Sequence, residues 1–123
     1  MNKSPDSTRI QELYTAVERV VARLYGSTLD EFLADLDLQD IALMQFVVLG
    51  EAAAHVSEAT RRRYPQIAWR KAAATRNFIV HEYAKVDFVQ VWDTVMDDLP
   101  GLLAELPAVL AQVLADEKAQ TDV

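Results

Sequence analysis

The residue types that can do chemistry lie within one short stretch of this chain, residues 76–83. The stretch contains Arg76, His81 and Tyr83. An arginine binds phosphate through a planar fork of donors, and a histidine can transfer a proton near neutral pH. Arg76 and His81 together are therefore a minimal set for phosphodiester chemistry by general acid–base catalysis.

Helical spacing limits how these side chains can meet. At roughly 100° per residue, Arg76 and Tyr83 share one helix face, whereas His81 points well away from both. All three can contact one ligand only if the helix ends or distorts near His81, or if a second subunit supplies one of them. The helix that carries this stretch, and the residue at which it ends, therefore decide whether the three side chains can converge.

The charge pattern around the stretch is uneven. The net charge of −7 argues against a general affinity for nucleic acid. Half of the twelve basic residues nevertheless fall between residues 61 and 76, and no acidic residue occurs between Arg61 and His81. These basic residues are Arg61, Arg62, Arg63, Arg70, Lys71 and Arg76. An RNA-binding surface and an ordinary solvated surface are favoured about equally.

Apolar residues recur at helical spacing along the chain, and no stretch alternates convincingly with the period of a strand. The predicted fold class is all-α, an antiparallel bundle of four to five helices. A single domain is expected over residues 7–117, between flexible tails at 1–6 and 118–123.

Two helical regions carry specific expectations. One long helix is predicted over residues 38–63. It is apolar nearly all round, which favours burial against the bundle on one face and against a second copy of the chain on another. The last region, residues 88–117, should bend or split, because Pro100 and Pro107 each remove an internal hydrogen bond.

Several classes of protein are disfavoured. The chain has no cysteine, so it offers no disulfide and no thiolate metal site, which is compatible with a cytoplasmic location. The first residues lack the apolar core of a signal peptide, and no apolar run approaches the length of a membrane span, so no membrane partner is expected. Glu51, His55 and Glu58 lack a further convergent ligand by spacing. No metal site is therefore predicted, and Glu51 is expected to pair with an arginine.

Several separate motifs occur in order between about residues 10 and 110. They are Gly50-Glu51-Ala52-Ala53, Tyr64-Pro65-Gln66-Ile67-Ala68-Trp69-Arg70, Arg76-Asn77 followed by His81-Glu82-Tyr83, Val86-Asp87 with Val91-Trp92, and Asp98-Leu99-Pro100. The set resembles the HepT-like branch of the HEPN superfamily. This resemblance implies an all-α bundle, a homodimer, and a metal-independent endoribonuclease without a cofactor, acting as the toxin of a toxin–antitoxin pair.

The resemblance also implies roles for individual residues. Arg76 would hold and stabilise the RNA phosphate, Asn77 would orient it, and His81 would be the general acid or base. The partner would be an antitoxin, a nucleotidyltransferase of the MNT type, which would transfer AMP to Tyr83.

Other basic residues near the motif are expected to contact the RNA. They are Arg70, Lys71 and Lys85.

Structural roles for the same residues remain open. Arg76 could be a structural partner of Glu51, His81 a helix-end cation, and Tyr83 a packed aromatic side chain. The alternative function is that of a non-catalytic HEPN protein that binds a nucleotidyltransferase or a nucleotide.

Overall fold

The structure, a computed structural model, describes residues 4–122. Seven α-helical segments are present in that range. They are α1 (Asp6–Tyr25), α2 (Leu29–Ala34), α3 (Leu36–His55), α4 (Glu58–Arg63), α5 (Trp69–His81), α6 (Phe88–Asp93) and α7 (Leu99–Thr121). No strand occurs within residues 4–122, and the all-α prediction is confirmed.

Four long helices form the bundle. They are α1, α3, α5 and the continuous helix of α6, a π-helical segment (Thr94–Asp98) and α7. Helix α3 packs between α1 and α5, and α1 also packs against α7. The short helix α2 is held by Phe32, whose ring contacts Phe88 and Trp92 with centroids 5.9 Å and 5.6 Å away. The predicted four- to five-helix bundle is therefore confirmed.

The long helix predicted over residues 38–63 is wrong in its second half. Helix α3 ends at His55, Val56 has extended backbone, and α4 begins at Glu58. Ser57 caps α4 by accepting a hydrogen bond from Thr60 N–H. The Asp6 carboxylate accepts further hydrogen bonds from Ser57 N–H at 2.9 Å and from its hydroxyl at 2.6 Å. This contact from the start of α1 stabilises a break that helical periodicity does not show.

The C-terminal helix is distorted just before Pro100 by the π-helical segment, but it is not split there or at Pro107. Pro100 lies in the first turn of α7, directly after the π-helical segment, whereas α7 runs through Pro107 without a break. Helix α7 continues to Thr121, beyond the predicted domain boundary at 117. Glu117 contributes to this, because it accepts hydrogen bonds from the Ser7 backbone N–H and hydroxyl. The domain boundaries themselves stay a prediction, and the expected tail residues 1–3 and 123 lie outside the described residues.

One helix is longer and more apolar than the sequence analysis recognised. By length and composition alone, Phe88–Thr121 could cross a membrane. A single such helix is a weak indication; 22% of its most apolar window is buried, and Val95, Leu106 and Val109 contribute to the core.

Candidate active site

Helices α3 and α5 approach each other most closely at Gly50. A Cβ at this position would lie 2.3 Å from the Cβ of Arg76 and 2.6 Å from the carbonyl oxygen of Ala72. No other residue type fits at those distances without a shift of the helices. The absence of a side chain at Gly50 therefore sets the stem of Arg76 directly against the α3 backbone.

The guanidinium of Arg76 is held by two neighbours. Its Nε lies 3.0 Å from Glu51 Oε2, and its Nη1 donates a hydrogen bond to Asn77 Oδ1 at 2.8 Å. The Nε–H is not aligned with the carboxylate, so the contact is an ion pair without hydrogen-bond geometry. Nη2 forms no hydrogen bond within residues 4–122. The predicted pairing of Glu51 with an arginine is confirmed.

His81 is the last residue of α5 and is exposed to solvent. It forms no hydrogen bond or ion pair within the part of the chain that the structure describes. It lies five residues after Arg76, a rise of about 7.5 Å and a rotation of about 140° along an ideal helix. Because α5 ends at His81, one of the two conditions for convergence on a single ligand is met.

Tyr83 lies in a short 3-10 turn (Tyr83–Lys85) that follows α5 and is 57% exposed. Its hydroxyl donates a hydrogen bond to Asp40 Oδ1 on α3 at 3.2 Å. The negative charge of Asp40 and this hydrogen bond raise the pKa of Tyr83 above its ordinary value. The phenol is therefore held neutral and accessible at the edge of the α3–α5 pair.

Asp40 is a partner that the sequence analysis did not assign to the site. Asp40 and Glu51 are eleven residues apart, about three helical turns, so they share a face of α3. Arg76 on α5 and Tyr83 in the turn that follows it both face α3, although the chain leaves helical geometry at Glu82. Antiparallel packing then pairs Glu51 with Arg76 and Asp40 with Tyr83. If α3 and α5 are assumed to pack antiparallel with Glu51 opposite Arg76, the same register places Asp40 opposite Tyr83.

The structure brings only some of the predicted RNA-binding residues to Arg76. Asn77 contacts it directly. Lys71 instead extends towards the π-helical segment, with Nζ 3.5 Å from Asp98 Oδ2. Lys85 stays beside its own turn, with Nζ 3.6 Å from Glu82 Oε2. Arg70 is exposed and lies six residues before Arg76 on α5. It lines a separate groove together with α4.

Exposed apolar side chains surround these groups. Met44 and Val48 lie on the face of α3 that carries Asp40 and Glu51, and Val80 lies one turn after Arg76 on α5. Ile41, at the edge of the same α3 face, is also exposed. We call this surface the α3–α5 face. Apolar surface interleaved with charged groups is typical of an interaction site.

The metal hypothesis gains no geometric support. His55 Nδ1 lies 2.8 Å from the backbone oxygen of Glu51 and 3.5 Å from its carboxylate, as a helical neighbour. Within residues 4–122, no group of three or more histidine, aspartate or glutamate side chains is arranged to hold a metal ion.

Comparison with known proteins places the chain in a family. The family model described as Ribonuclease HepT-like matches residues 13–109, which include every residue of the site. The chain belongs to the HepT-like ribonuclease family.

Individual relatives have low sequence identity to this chain, but the matched region covers most of the length of each relative. RNase MJ0127 of Methanocaldococcus jannaschii is 28% identical over 91 residues, 74% of this chain and 75% of that protein. Ribonuclease HepT of Thermococcus cleftensis is 28% identical over 93 residues, 76% of this chain and 84% of that protein. RNase TTE0752 of Caldanaerobacter subterraneus is 23% identical over 101 residues, 82% and 90% of the two chains. All three names are provisional assignments. No solved structure matches the chain.

Proposed function

We propose that the protein is a metal-independent endoribonuclease that cleaves RNA with Arg76 and His81. The observation that carries this proposal is the setting of Arg76. Its guanidinium is oriented by Glu51 and Asn77 and lies on the helix that ends at His81. The family match includes both residues and supports the same chemistry.

The reaction needs a proton acceptor, a proton donor and a cation. A base removes the proton of the 2′-hydroxyl, the resulting oxygen attacks phosphorus, and the bond from phosphorus to the 5′-oxygen breaks as an acid protonates that oxygen. His81 is the acid or base, and Arg76 stabilises the charge that builds up on the phosphorane. Asn77 helps to orient the phosphate through its contact with Arg76.

A homodimer is part of the proposal. A single His81 cannot easily act as base and acid in the same step, whereas two copies of it, one from each subunit, can divide these roles. The exposed residues Ile41, Met44, Val48 and Val80 of the α3–α5 face offer apolar surface for a second copy. Packing there would place two Arg76 side chains in one groove.

We further propose that this nuclease is the toxin of a cytoplasmic toxin–antitoxin pair. The antitoxin would be an MNT-type nucleotidyltransferase that joins AMP to the Tyr83 hydroxyl. The exposure of Tyr83 and its place on the face that carries Arg76 support this role. A phosphate attached there would add negative charge and bulk where RNA must bind, and so would prevent cleavage.

A second candidate follows from the ion pair itself. Because Glu51 already neutralises Arg76, the arginine has a structural partner. This favours a non-catalytic HEPN protein that binds a nucleotidyltransferase or a nucleotide.

Induced expression in bacteria separates the two candidates. We expect the wild type to arrest growth and to produce new RNA fragments on a gel, whereas Arg76→Ala and His81→Ala do neither. Lys118→Ala is the control, because Lys118 is exposed in the last turn of α7, away from Arg76 and His81, and its loss should leave toxicity unchanged. Intact mass of each purified protein shows whether Tyr83 already carries AMP.

Cleavage by purified wild type in the presence of a chelator tests the metal-independent mechanism. Toxicity that persists in His81→Ala at normal expression would overturn the nuclease assignment. No arrest by an unmodified wild type would favour the binding protein.

A further inference from the structure

A groove of about 490 Å³ lies between α4 and the first turns of α5. Its charged lining residues are Glu58, Arg61, Arg62, Arg70 and Lys71. Four cations and one anion thus surround a concave surface in a chain whose net charge is −7. The groove is opposite in sign to the protein as a whole.

Two of the four cations are not neutralised within residues 4–122. Arg70 forms no hydrogen bond or ion pair there, and Arg61 has a buried Nε without an acceptor. Arg62 pairs with Glu58, and Lys71 pairs with Asp98, but both pairs are solvent-exposed. Exposed ion pairs hold their partners weakly, so these side chains can exchange one anion for another. The groove is therefore suited to an anionic ligand.

The groove does not itself include Arg76 or His81, but a row of exposed residues on α5 leads from it to His81. Arg70, Ala74, Asn77 and His81 are spaced four, three and four residues apart, so they form one stripe along α5. All four are exposed, and Ala74 presents only a methyl group. The stripe rises about 16 Å from Arg70 to His81. A ligand that runs from the groove along this stripe reaches His81.

We propose that the α4–α5 groove binds the phosphates of the RNA substrate on one side of the cleavage point. This inference rests on the proposed ribonuclease function and adds α4, through Arg61 and Arg62, to the substrate-binding surface. RNA is favoured over an acidic protein because a polyanion with regularly spaced charges can occupy both the groove and the stripe that ends at His81. Cations in the groove would hold the RNA backbone by its phosphates and would not distinguish one base sequence from another.

The test compares two double variants that each remove two positive charges. Arg62→Gln with Arg70→Gln changes the groove, and Arg19→Gln with Lys118→Gln changes exposed residues that do not line it. All three proteins carry His81→Ala, so that RNA stays intact. Fluorescence anisotropy with a labelled single-stranded RNA of mixed sequence gives Kd over a range of salt concentrations, and circular dichroism verifies that the helices remain.

We expect the groove variant to weaken RNA binding on the order of tenfold and uniformly across sequences. The slope of log affinity against log salt should fall by about 0.7 for each lost phosphate contact. The control variant should stay close to the His81→Ala parent. With His81 intact, the groove variant should raise KM for cleavage and leave kcat unchanged.

Two results would overturn the inference. An equal loss of RNA affinity in the two double variants would mean that binding depends only on the net charge of the protein. RNA binding unaffected in the groove variant, together with weakened binding of polyglutamate, would assign the groove to an acidic protein segment. Failure of the wild type to cleave RNA would overturn the proposed function instead, and the binding comparison would still test the groove.

Discussion

At the scale of single residues, Arg76 has the most closely defined surroundings. Glu51 and Asn77 hold its guanidinium, and the α3 backbone lies beneath its stem at Gly50. The ion pair is partly open to solvent, with side-chain exposures of 32% and 45%. Such a pair adds only about 0–1 kcal/mol to stability. Its main effect is therefore on the orientation of Arg76.

Arg76→Lys separates charge from geometry. Lysine keeps the positive charge but lacks the planar fork that binds phosphate through two donors. We expect cleavage to fall on the order of tenfold or more, while the free energy of unfolding changes by less than about 1 kcal/mol. Initial rates on a labelled RNA measure cleavage, and urea denaturation measures the free energy of unfolding. A lysine variant that cleaves like wild type would show that charge alone is sufficient.

Tyr83 gives a prediction about pH. Asp40 raises the pKa of Tyr83 above its ordinary value, so Asp40→Asn should lower it towards that value. The stabilising contact is present while the phenol is protonated and is lost as the pH rises through the folded-state pKa, above about 10.

An ultraviolet titration of the phenol, taken as the difference between each protein and its Tyr83→Phe counterpart, measures this shift. Asp37→Asn is the matched control, because Asp37 is another exposed carboxylate in α3. Equal pKa values for Tyr83 in Asp40→Asn and in wild type would contradict the contact.

At the scale of helices, the α3–α5 contact positions the site. The Ala72 carbonyl and the Arg76 Cβ both lie within 3 Å of where a Cβ on Gly50 would be. A backbone carbonyl cannot rotate away as a flexible side chain can. Any larger residue at this position must therefore push the two helices apart.

Two glycine substitutions test this contact. Gly50→Ala should destabilise the protein by roughly 1–3 kcal/mol through overpacking. Gly101→Ala, in α7 with open space around it, should instead stabilise by about 0.5–1 kcal/mol, because alanine loses less entropy in a helix. Urea denaturation of both variants provides the comparison. A Gly50→Ala protein as stable as wild type would mean that α3 and α5 are farther apart than described.

At the scale of the whole molecule, charge and apolar surface are separated. The basic groove lies between α4 and α5, whereas exposed apolar side chains cluster on the α3–α5 face beside Arg76. One region offers contacts for a polyanion and the other for a second copy of the chain. The proposed nuclease needs both, because RNA must reach a site that two subunits complete.

Met44→Asp tests the proposed homodimer. Met44 is 59% exposed on the α3–α5 face, so an aspartate there should leave the fold intact but place a charge in the subunit interface. We expect a monomer by sedimentation velocity and the loss of cleavage. Leu114→Asp is the control, since Leu114 is 50% exposed on α7 and should leave both properties unchanged. An active monomeric wild type would contradict the dimer.

Helical periodicity and capping residues were sufficient to predict the class of fold. Apolar spacing identified helical regions, and residue types typical of helix termini stand at the caps: Gly26 ends α1, and Thr28 and Asp87 cap the starts of α2 and α6. The break after α3 was missed although Ser57 caps α4 locally; the further contact that stabilises it comes from Asp6, which is 51 residues away in the chain. Local patterns carry no information about such a contact.

The sequence by itself determined which chemical groups α5 carries and in what order, because the spacing of Arg76, His81 and Tyr83 is a property of the chain. Only the tertiary structure decided their partners. Glu51 and Asp40 meet Arg76 and Tyr83 across separations of 25 and 43 residues. Those pairings follow from the antiparallel register of α3 against α5, which is set by close packing at Gly50 and not by any local preference of either helix.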